Sequence, residues 1–180
     1  AFDQLPIDRR SPGFIRHWPG LVTALRLLRP RQARSLSGPL CTAPDGTRWR
    51  ALGSFRLDNA PASSLAGRPA DLLPFLAAHL AGGGTILTPE SVEKMQRRAS
   101  AAKLGFIAAE GSGLGWKLGH SQRHGRYVTH EGAGPGFVAE ARLYPDAGVA
   151  IMVAFNRARR VCFQIAHETA EALVAHTTAS

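Results

Sequence analysis

The clearest pattern of apolar and polar positions lies between residues 126 and 155, where it predicts three β-strands and two turns. Over residues 137–144 apolar side chains alternate with side chains of mixed character. One side of this segment carries Phe137, Ala139, Ala141 and Leu143, and the other carries Val138, Glu140, Arg142 and Tyr144. A period of two is typical of a β-strand, so the pattern predicts a half-buried strand with one apolar and one mixed face.

The next two segments predict a hairpin. Residues 145–148 read Pro-Asp-Ala-Gly, in which proline presets φ, aspartate caps its own turn and glycine accepts a positive φ. Val149 to Phe155 is an unbroken apolar run. Such a run is typical of a strand that is covered on both faces, so we expect it inside a sheet rather than at an edge.

Residues 130–136, with the sequence His-Glu-Gly-Ala-Gly-Pro-Gly, follow the first of the three strands. Three glycines and a proline are expected to end the regular ladder and to bring bare backbone to the surface beside His130. Backbone N–H groups in such a turn can stabilise a developing oxyanion, and a basic side chain next to them can contact a substrate. The alternative is a glycine-rich connection in which the histidine has no function.

Three helices are predicted outside this region. Residues 70–81 carry a stripe that should be buried, and Gly82-Gly83-Gly84 should end the helix. Thr88 should cap a second helix that starts at Pro89 and turns Val92 and Met95 inward. A last helix, over about residues 160–175, should lie on the sheet. The stripe of the first helix is Leu72, Leu73, Phe75, Leu76 and Leu80, with Pro74 in or near its first turn, and that of the last is Cys162, Ile165, Ala166, Thr169 and Leu173.

Residues 1–60 are predicted to form an irregular connecting segment rich in Pro, Gly and Arg. Only short elements fit between these residues: a helix over 20–29, a turn over 44–46 and a strand over 49–57. The given sequence does not open on a basic region followed by an apolar one, and because its first residue is not Met we expect a processed or truncated start. The compartment therefore stays open between cytoplasm and periplasm.

Composition indicates a globular chain without a transmembrane segment, because 44% of its residues are hydrophobic, 19% are charged and no apolar run approaches 18 residues. The net charge is +9, and arginine forks suit phosphates, so nucleic-acid binding is a rival hypothesis. Against it, the basic residues are not interleaved with aromatic platforms, and no zinc-finger spacing occurs. A solvated basic surface explains the charge more simply.

Two cysteines, Cys41 and Cys162, leave one disulfide open and exclude a Cys-x-x-C redox or zinc motif. A metal cluster of His120, His124, His130 and Glu131 is a second alternative. We favour no metal site, because residues 121–125 are predicted to form a turn with His124 at its tip, and histidines in loops are more often solvated.

The order of elements after residue 60 resembles that of the β-lactamase-related serine hydrolases, which include class C β-lactamases, D-alanyl-D-alanine carboxypeptidases and esterases. The segment 130–137, HEGAGPGF, is followed by a strand, a Pro-Asp-x-Gly turn, an apolar strand ending in Asn156 and a helix. Residues 61–96 and the sequence GLGW at 113–116 are similar in layout to the region before the third motif of that family. That motif is Lys-Thr-Gly or His-x-Gly, and it matches His130, Glu131 and Gly132, although Glu131 replaces a small residue or Thr.

The resemblance implies an α+β fold, with an antiparallel sheet flanked by helices, and makes residues 61–180 the C-terminal part of a β-lactamase-like domain. It also implies an acyl-serine intermediate on a lactam, peptide or ester, with no cofactor. His130 would face the substrate, and Ala133, following Gly132, would lend an oxyanion N–H. In the resembled fold the last strand pairs with one from the N-terminal end of the domain, so we expect a homodimer or assembly with a missing N-terminal part.

The nucleophile of the resembled family is a Ser-x-x-Lys serine, which a Tyr-x-Asn or Ser-x-Asn motif assists. This spacing occurs twice, in Ser91 with Lys94 and in Ser100 with Lys103. Triplets of this kind often arise by chance. Both also lie later in the chain than the position of the nucleophile in the resembled family. Neither Tyr-x-Asn nor Ser-x-Asn occurs. We therefore expect this chain to lack the nucleophilic motif, and a non-catalytic binding module of the same fold is the main alternative to an enzyme.

Overall fold

The computed structural model describes residues 13–16, 49–51, 67–101, 109–134, 136–157 and 159–178. The chain divides into two compact units. The first comprises residues 1–67, 133–137 and 155–158, and the second comprises residues 68–132, 138–154 and 159–180.

The first unit contains a short antiparallel pair of strands, β1 (Phe14–Arg16) and β2 (Trp49–Ala51). A Cβ atom at Gly13 would lie only 2.6 Å from the ring of Phe137, so a larger residue here would displace that ring. Strand β2 is the part of the predicted strand over 49–57 that the structure describes. The predicted helix over 20–29, the turn over 44–46, Cys41 and the boundary at residue 60 all lie outside the described residues.

The second unit is built on a five-stranded antiparallel sheet in which each strand neighbours the next in sequence. Short connections join the last three strands. The turn over residues 145–147 forms as predicted: Gly148 has a φ of 65° and its N–H donates to the carbonyl of Pro145 at 3.2 Å. The strands are β3 (Gly111–Ser112), β4 (Lys117–Ser121), β5 (Gly125–Gly134), β6 (Phe137–Tyr144) and β7 (Val149–Phe155).

Three helices complete the described part of the chain: α1 (Pro69–Leu80), α2 (Pro89–Gln96) and α3 (Val161–Thr178). Thr88 caps α2 as predicted, since its hydroxyl accepts from the N–H of Ser91 at 3.2 Å. All three glycines over 82–84 have positive φ, which ends α1. The fold is therefore α+β, as expected. Among the described helices, none has the length and hydropathy that spanning a bilayer requires.

Helices α1 and α3 cover opposite sides of the sheet, which we call the α1 face and the α3 face. Strand alternation divides the core between them. On the α1 face, Leu76 of α1 packs against one set of strand and loop residues. On the α3 face, Ala170 and Val174 of α3 pack against a second set. The strand and loop residues are Trp116, Val128, Ala141 and Leu143 on the α1 face and Tyr127, Tyr144 and Ile151 on the α3 face.

The prediction that β6 is half buried is wrong. Its mixed side is as buried as its apolar side, because α3 packs on it: Glu140, Arg142 and Tyr144 are 2%, 1% and 0% exposed. Alternation identified the strand and both its ends, but polarity did not identify the solvent side.

The apolar run of β7 predicted a strand inside the sheet, and this prediction does not hold for the described residues. It ends the strand order, and no described strand lies beyond it. Within β7 only Ile151 is buried. The expectation of an interior strand is therefore wrong for the described residues, whereas the expected partner for this edge stays a prediction.

The buried stripes of α1 and α3 were predicted only in part, because several residues expected to be buried are exposed and their neighbours along the helix are buried instead. In α1, Leu76 and His79 are buried, whereas Leu73 and Phe75 are 41% and 42% exposed. Pro74 is the sixth residue of α1, so it lies beyond the first turn. In α3 the buried residues are Cys162, Phe163, Ala166, Ala170 and Val174. Three predicted residues, Ile165, Thr169 and Leu173, are exposed.

Candidate active site

His130 lies within β5 rather than at its end. The strand continues to Gly134, so the prediction that the glycine-rich segment breaks the ladder at once is wrong. Neither Gly132 nor Gly134 has a positive φ, and the first left-handed residue of the segment is Gly136, at 81°. His130 is exposed at its strand position, so it is not a packing residue.

A single hydrogen bond orients the His130 ring. Nδ1 lies 2.7 Å from the carbonyl oxygen of Gly115. Because a carbonyl can only accept, Nδ1 must carry a proton. In the neutral ring Nε2 then holds the lone pair and can accept a hydrogen bond, and in the protonated ring it donates one. The bond thus fixes both the tautomer and the direction of the ring.

The Gly115 carbonyl is itself held in place by the turn over residues 113–116, the GLGW sequence. Gly113 donates to the carbonyl of Trp116 at 2.8 Å, and Leu114 donates to the carbonyl of Met95 at 2.9 Å. A Cβ atom at position 113 would meet the Met95 oxygen at 2.1 Å, and Gly115 has a φ of 77°, so both positions require glycine. Trp116 anchors the turn in the core of the α1 face.

Glu131 faces away from His130, because neighbouring residues of a strand point to opposite sides. Its side chain is 1% exposed, and its Oε1 lies 2.7 Å from Nζ of Lys117 on β4. The residue that departs from the family motif therefore forms an ion pair on the α3 face. A carboxylate at the middle position of the motif is compatible with a substrate on the His130 side.

Gly132 and Ala133 are both exposed on β5. Among the residues that the structure describes, none lies within 4 Å of a Cβ atom placed at Gly132, so these residues leave the backbone there open to a ligand. Ala133 belongs to the first compact unit, and His130 and Gly132 belong to the second. The role of the Ala133 N–H as an oxyanion donor stays a prediction.

The two candidate nucleophiles occupy structural positions. Ser91 stands in the first turn of α2, where its N–H donates to Thr88 Oγ1 and its Oγ accepts from the same hydroxyl at 3.1 Å. Ser100 forms an isolated bridge, and two 2.9 Å backbone hydrogen bonds join it to Ser112. Lys103 lies outside the described residues.

Two of the three histidines considered for a metal cluster make different contacts. His130 bonds to Gly115, whereas His124, in the turn after β4, lies 4.0 Å from a carboxylate oxygen of Glu171 on α3. Within the described ranges, no three His, Cys, Asp or Glu side chains are grouped as a metal site would need.

Sequence reasoning missed a charged cluster under α3, which we call the Arg142 network. Arg142 donates to Glu140 Oε1 from Nε at 2.8 Å and from Nη2 at 2.5 Å. Its Nη1 donates to Tyr144 at 3.2 Å and lies 2.5 Å from His167 Nδ1, which must therefore be the acceptor. Although burial opposes it, the charge of Glu140 raises the pKa of Arg142.

Glu171 closes the Arg142 network from α3. It accepts hydrogen bonds of 2.5 Å from Tyr144 and from Ser121. Although burial opposes them, these two bonds hold the pKa of Glu171 below its ordinary value. Burial raises the pKa of Tyr144, so its hydroxyl stays protonated and acts as a donor. Two spacings in the sequence could have indicated the network: polar side chains at i, i+2 and i+4 in β6, and His167 with Glu171 at i, i+4 in α3.

Comparisons with known proteins identify the family of this chain. The sequence model of the Beta-lactamase family matches residues 19–176. A solved structure described as SurE is 24% identical, with a TM-score of 0.53 over 93% of this chain and 36% of that chain. SurE with D-Leu is 26% identical, with a TM-score of 0.43 over 73% and 27%. This chain thus spans about a third of the length of those chains, and a search of curated proteins found no match. With the family model matching most of its length, and an antiparallel sheet flanked by helices, the chain belongs to the β-lactamase family.

Proposed function

We propose that this chain carries the substrate-facing strand of a β-lactamase-family serine hydrolase. Its substrate is a carbonyl compound, namely a lactam, a peptide or an ester. The observation that supports the proposal is the exposed His130 ring, whose direction and tautomer a 2.7 Å bond to Gly115 fixes. An oriented polar group on an open strand is suited to hold a substrate beside a reacting centre.

In the family reaction a serine oxygen attacks the carbonyl, the leaving group departs, and water hydrolyses the acyl-serine. We assign His130 to contact the substrate through Nε2. The open backbone at Gly132 lets a substrate approach β5, and the Ala133 N–H donates to the developing oxyanion. Glu131 takes no direct part, because its carboxylate pairs with Lys117 on the other face.

Neither Ser91 nor Ser100 is the nucleophile in this proposal. The Ser91 hydroxyl is engaged in the cap of α2, and Ser100 is fixed by its bridge to Ser112. The chain alone is therefore expected to bind substrate without forming an acyl-serine. This behaviour also suits a non-catalytic binding module of the same fold, which is the second candidate.

Binding can be tested by titrating the full chain with a chromogenic cephalosporin and a D-alanyl-D-alanine peptide while the His130 ring signals are followed by NMR. His130→Gln should weaken binding about tenfold, the effect of losing one well-placed hydrogen bond. His120→Gln is the matched control, since His120 is an exposed histidine on the neighbouring strand, and it should change affinity less than about twofold. Equal losses in both variants would contradict the assignment of His130.

Acylation can be tested by intact mass after incubation with a fluorophosphonate and the cephalosporin. We expect an unmodified mass. A stoichiometric adduct on Ser91 or Ser100, lost in Lys94→Met or Lys103→Met, would contradict the proposal and make the chain a hydrolase by itself.

A further inference from the structure

A cleft lies away from His130, at the turn end of the sheet. It has a volume of about 390 Å³ and lies between the end of α1, the length of α2 and the start of β5. Arg126 contributes to it from β5, on the same face as His130 and four residues before it. At the rise of a strand these two positions are about 13 Å apart, so the cleft and the His130 position are separate sites.

His79, at the end of α1, is the most unusual residue in the lining. It is 2% exposed, and neither of its ring nitrogens has a hydrogen-bond partner among the described residues. Phe75 and Trp116 flank the ring edge-on, at centroid distances of 4.7 and 5.3 Å. Buried polar groups are nearly always paired in folded proteins, so an unpaired ring on the wall of a cleft indicates a missing partner.

The protonation of His79 follows from its surroundings. Burial lowers its pKa, which favours the neutral ring. A neutral imidazole carries one N–H donor and one lone pair, so the ring can donate to one ligand oxygen and accept from another group.

The charges around the cleft favour an anion. Arg97 and Arg126 line it, and neither forms an ion pair within the described parts of the chain. Among the described lining residues Glu93 is the single acidic side chain, so with a neutral His79 the two arginines leave these residues with a net positive charge. Guanidinium groups bind carboxylates through paired N–H donors. The remaining wall is largely apolar and includes Leu80 and Val92.

We propose that this cleft binds a small organic carboxylate with an apolar tail. Arg126 and Arg97 hold the carboxylate, His79 donates a hydrogen bond to it, and the apolar wall receives the tail. The volume is in the range of small-molecule sites, and the combination of a few convergent polar groups with an apolar wall is typical of them. This inference does not depend on the proposed hydrolase function of His130.

The test uses the full chain and octanoate as the probe, with calorimetry and NMR of the His79 ring. Octanoate should bind with a dissociation constant below about 1 mM and should shift the His79 signals. Acetate supplies the head group alone and octan-1-ol the tail alone, and each should bind at least about tenfold more weakly. Equal binding of octan-1-ol would show that the arginines have no role, and equal binding of acetate would show that the apolar wall has none; either result overturns the proposal.

Variants locate the site. Arg126→Gln should weaken octanoate binding about tenfold, because a charge-assisted hydrogen bond is lost. Arg123→Gln is the matched control, an exposed arginine in the preceding turn that does not line the cleft, and it should leave affinity within about twofold. His130→Gln should also leave it unchanged, which separates this site from the proposed active site.

His79→Phe separates a ligand role from a packing role. The substitution removes two unpaired buried nitrogens, so the variant should be at least as stable as the wild type while octanoate binding falls about tenfold. Unchanged affinity in both His79→Phe and Arg126→Gln would overturn the proposal. If His79→Phe does not fold, Arg97→Gln replaces it and should show the same loss.

Discussion

The two faces of the sheet are stabilised by different physics, although the same strands build both. On the α1 face, Leu76, Val128 and Leu143 form an apolar core in which each contact depends mainly on volume. On the α3 face, Glu140 and Arg142 are almost fully buried and hold each other through paired hydrogen bonds. An apolar core loses stability gradually as it is trimmed, whereas a buried charged network depends on every partner being present.

The position of the candidate sites follows the same division. His130, which is exposed, and the His79 cleft both belong to the α1 side. Buried polar atoms without a hydrogen-bond partner among the described residues occur on both sides, in His79 on the α1 side and in His124 and Glu140 on the α3 side. The charged groups of the α3 face bond mostly to one another and are enclosed by α3. The two proposed ligand sites therefore lie on the face that is richer in apolar residues, and not on the face that is richer in charge.

The largest expected effect comes from breaking the Arg142 network at its centre. Arg142→Met leaves Glu140 buried without its cation, which should cost about 3–5 kcal/mol in the free energy of unfolding, measured with urea. Arg123→Met, at an exposed arginine, should change it by less than about 0.5 kcal/mol. The double variant Glu140→Gln with Arg142→Met should recover part of the loss, and a double variant as unstable as the sum of the single ones would argue against a paired network.

The next effect concerns the apolar face. Leu143→Ala should cost about 2–5 kcal/mol, because Leu143 is fully buried and its removal leaves a cavity beside α1. Leu114→Ala is the matched control, since Leu114 is 48% exposed, and it should cost under about 1 kcal/mol. A loss of less than about 1 kcal/mol in Leu143→Ala would mean that this face is not the tightly packed core described above.

The pH dependence of stability should differ between the faces. The pKa of Glu171 is below its ordinary value in the folded protein, so the unfolded chain takes up the proton first as pH falls. The stabilisation from Glu171 is complete above the ordinary carboxyl pKa of about 4.3 and is lost below it. The pKa of His79 is also lowered, by burial, so its unfolded form protonates first, and stability declines below the ordinary histidine pKa of about 6.5.

Two variants separate the pH range in which His79 affects stability from the range in which Glu171 does. His79→Phe should flatten the decline that begins near pH 6.5, and Glu171→Gln should flatten the one that begins near pH 4.3, each by at most about 1.4 kcal/mol per pH unit. Urea unfolding at a series of pH values measures both slopes. If the two variants changed the same window, the assignment of one titrating group to each face would be wrong.

The smallest effect on stability is expected at His130. Because the ring is exposed, His130→Gln should change the free energy of unfolding by less than about 0.5 kcal/mol while weakening substrate binding. His120→Gln should be equally neutral for stability and should also leave binding unchanged. A large destabilisation by His130→Gln would show that the bond to Gly115 holds the turn over 113–116 rather than preparing the ring for a ligand.

Local signals in the sequence determined much of this fold. The Pro-Asp-Ala-Gly turn, both ends of β6, the Thr88 cap and the glycines after α1 depend on φ preferences and on hydrogen bonds between near neighbours, which the residues themselves specify. The order of elements and the motif at His130 likewise indicated the family that the family model later matched.

Only the tertiary structure decided which sides of those elements are buried and which polar groups meet. The mixed side of β6 is buried because α3 covers it, β7 is at the edge because no described strand follows it, and His79 is enclosed because α1 turns it toward Trp116. Glu131 could not be assigned from the motif, since its partner Lys117 is on another strand. Burial and pairing depend on residues far apart in sequence, so an alternating pattern identifies a strand but cannot identify what packs against it.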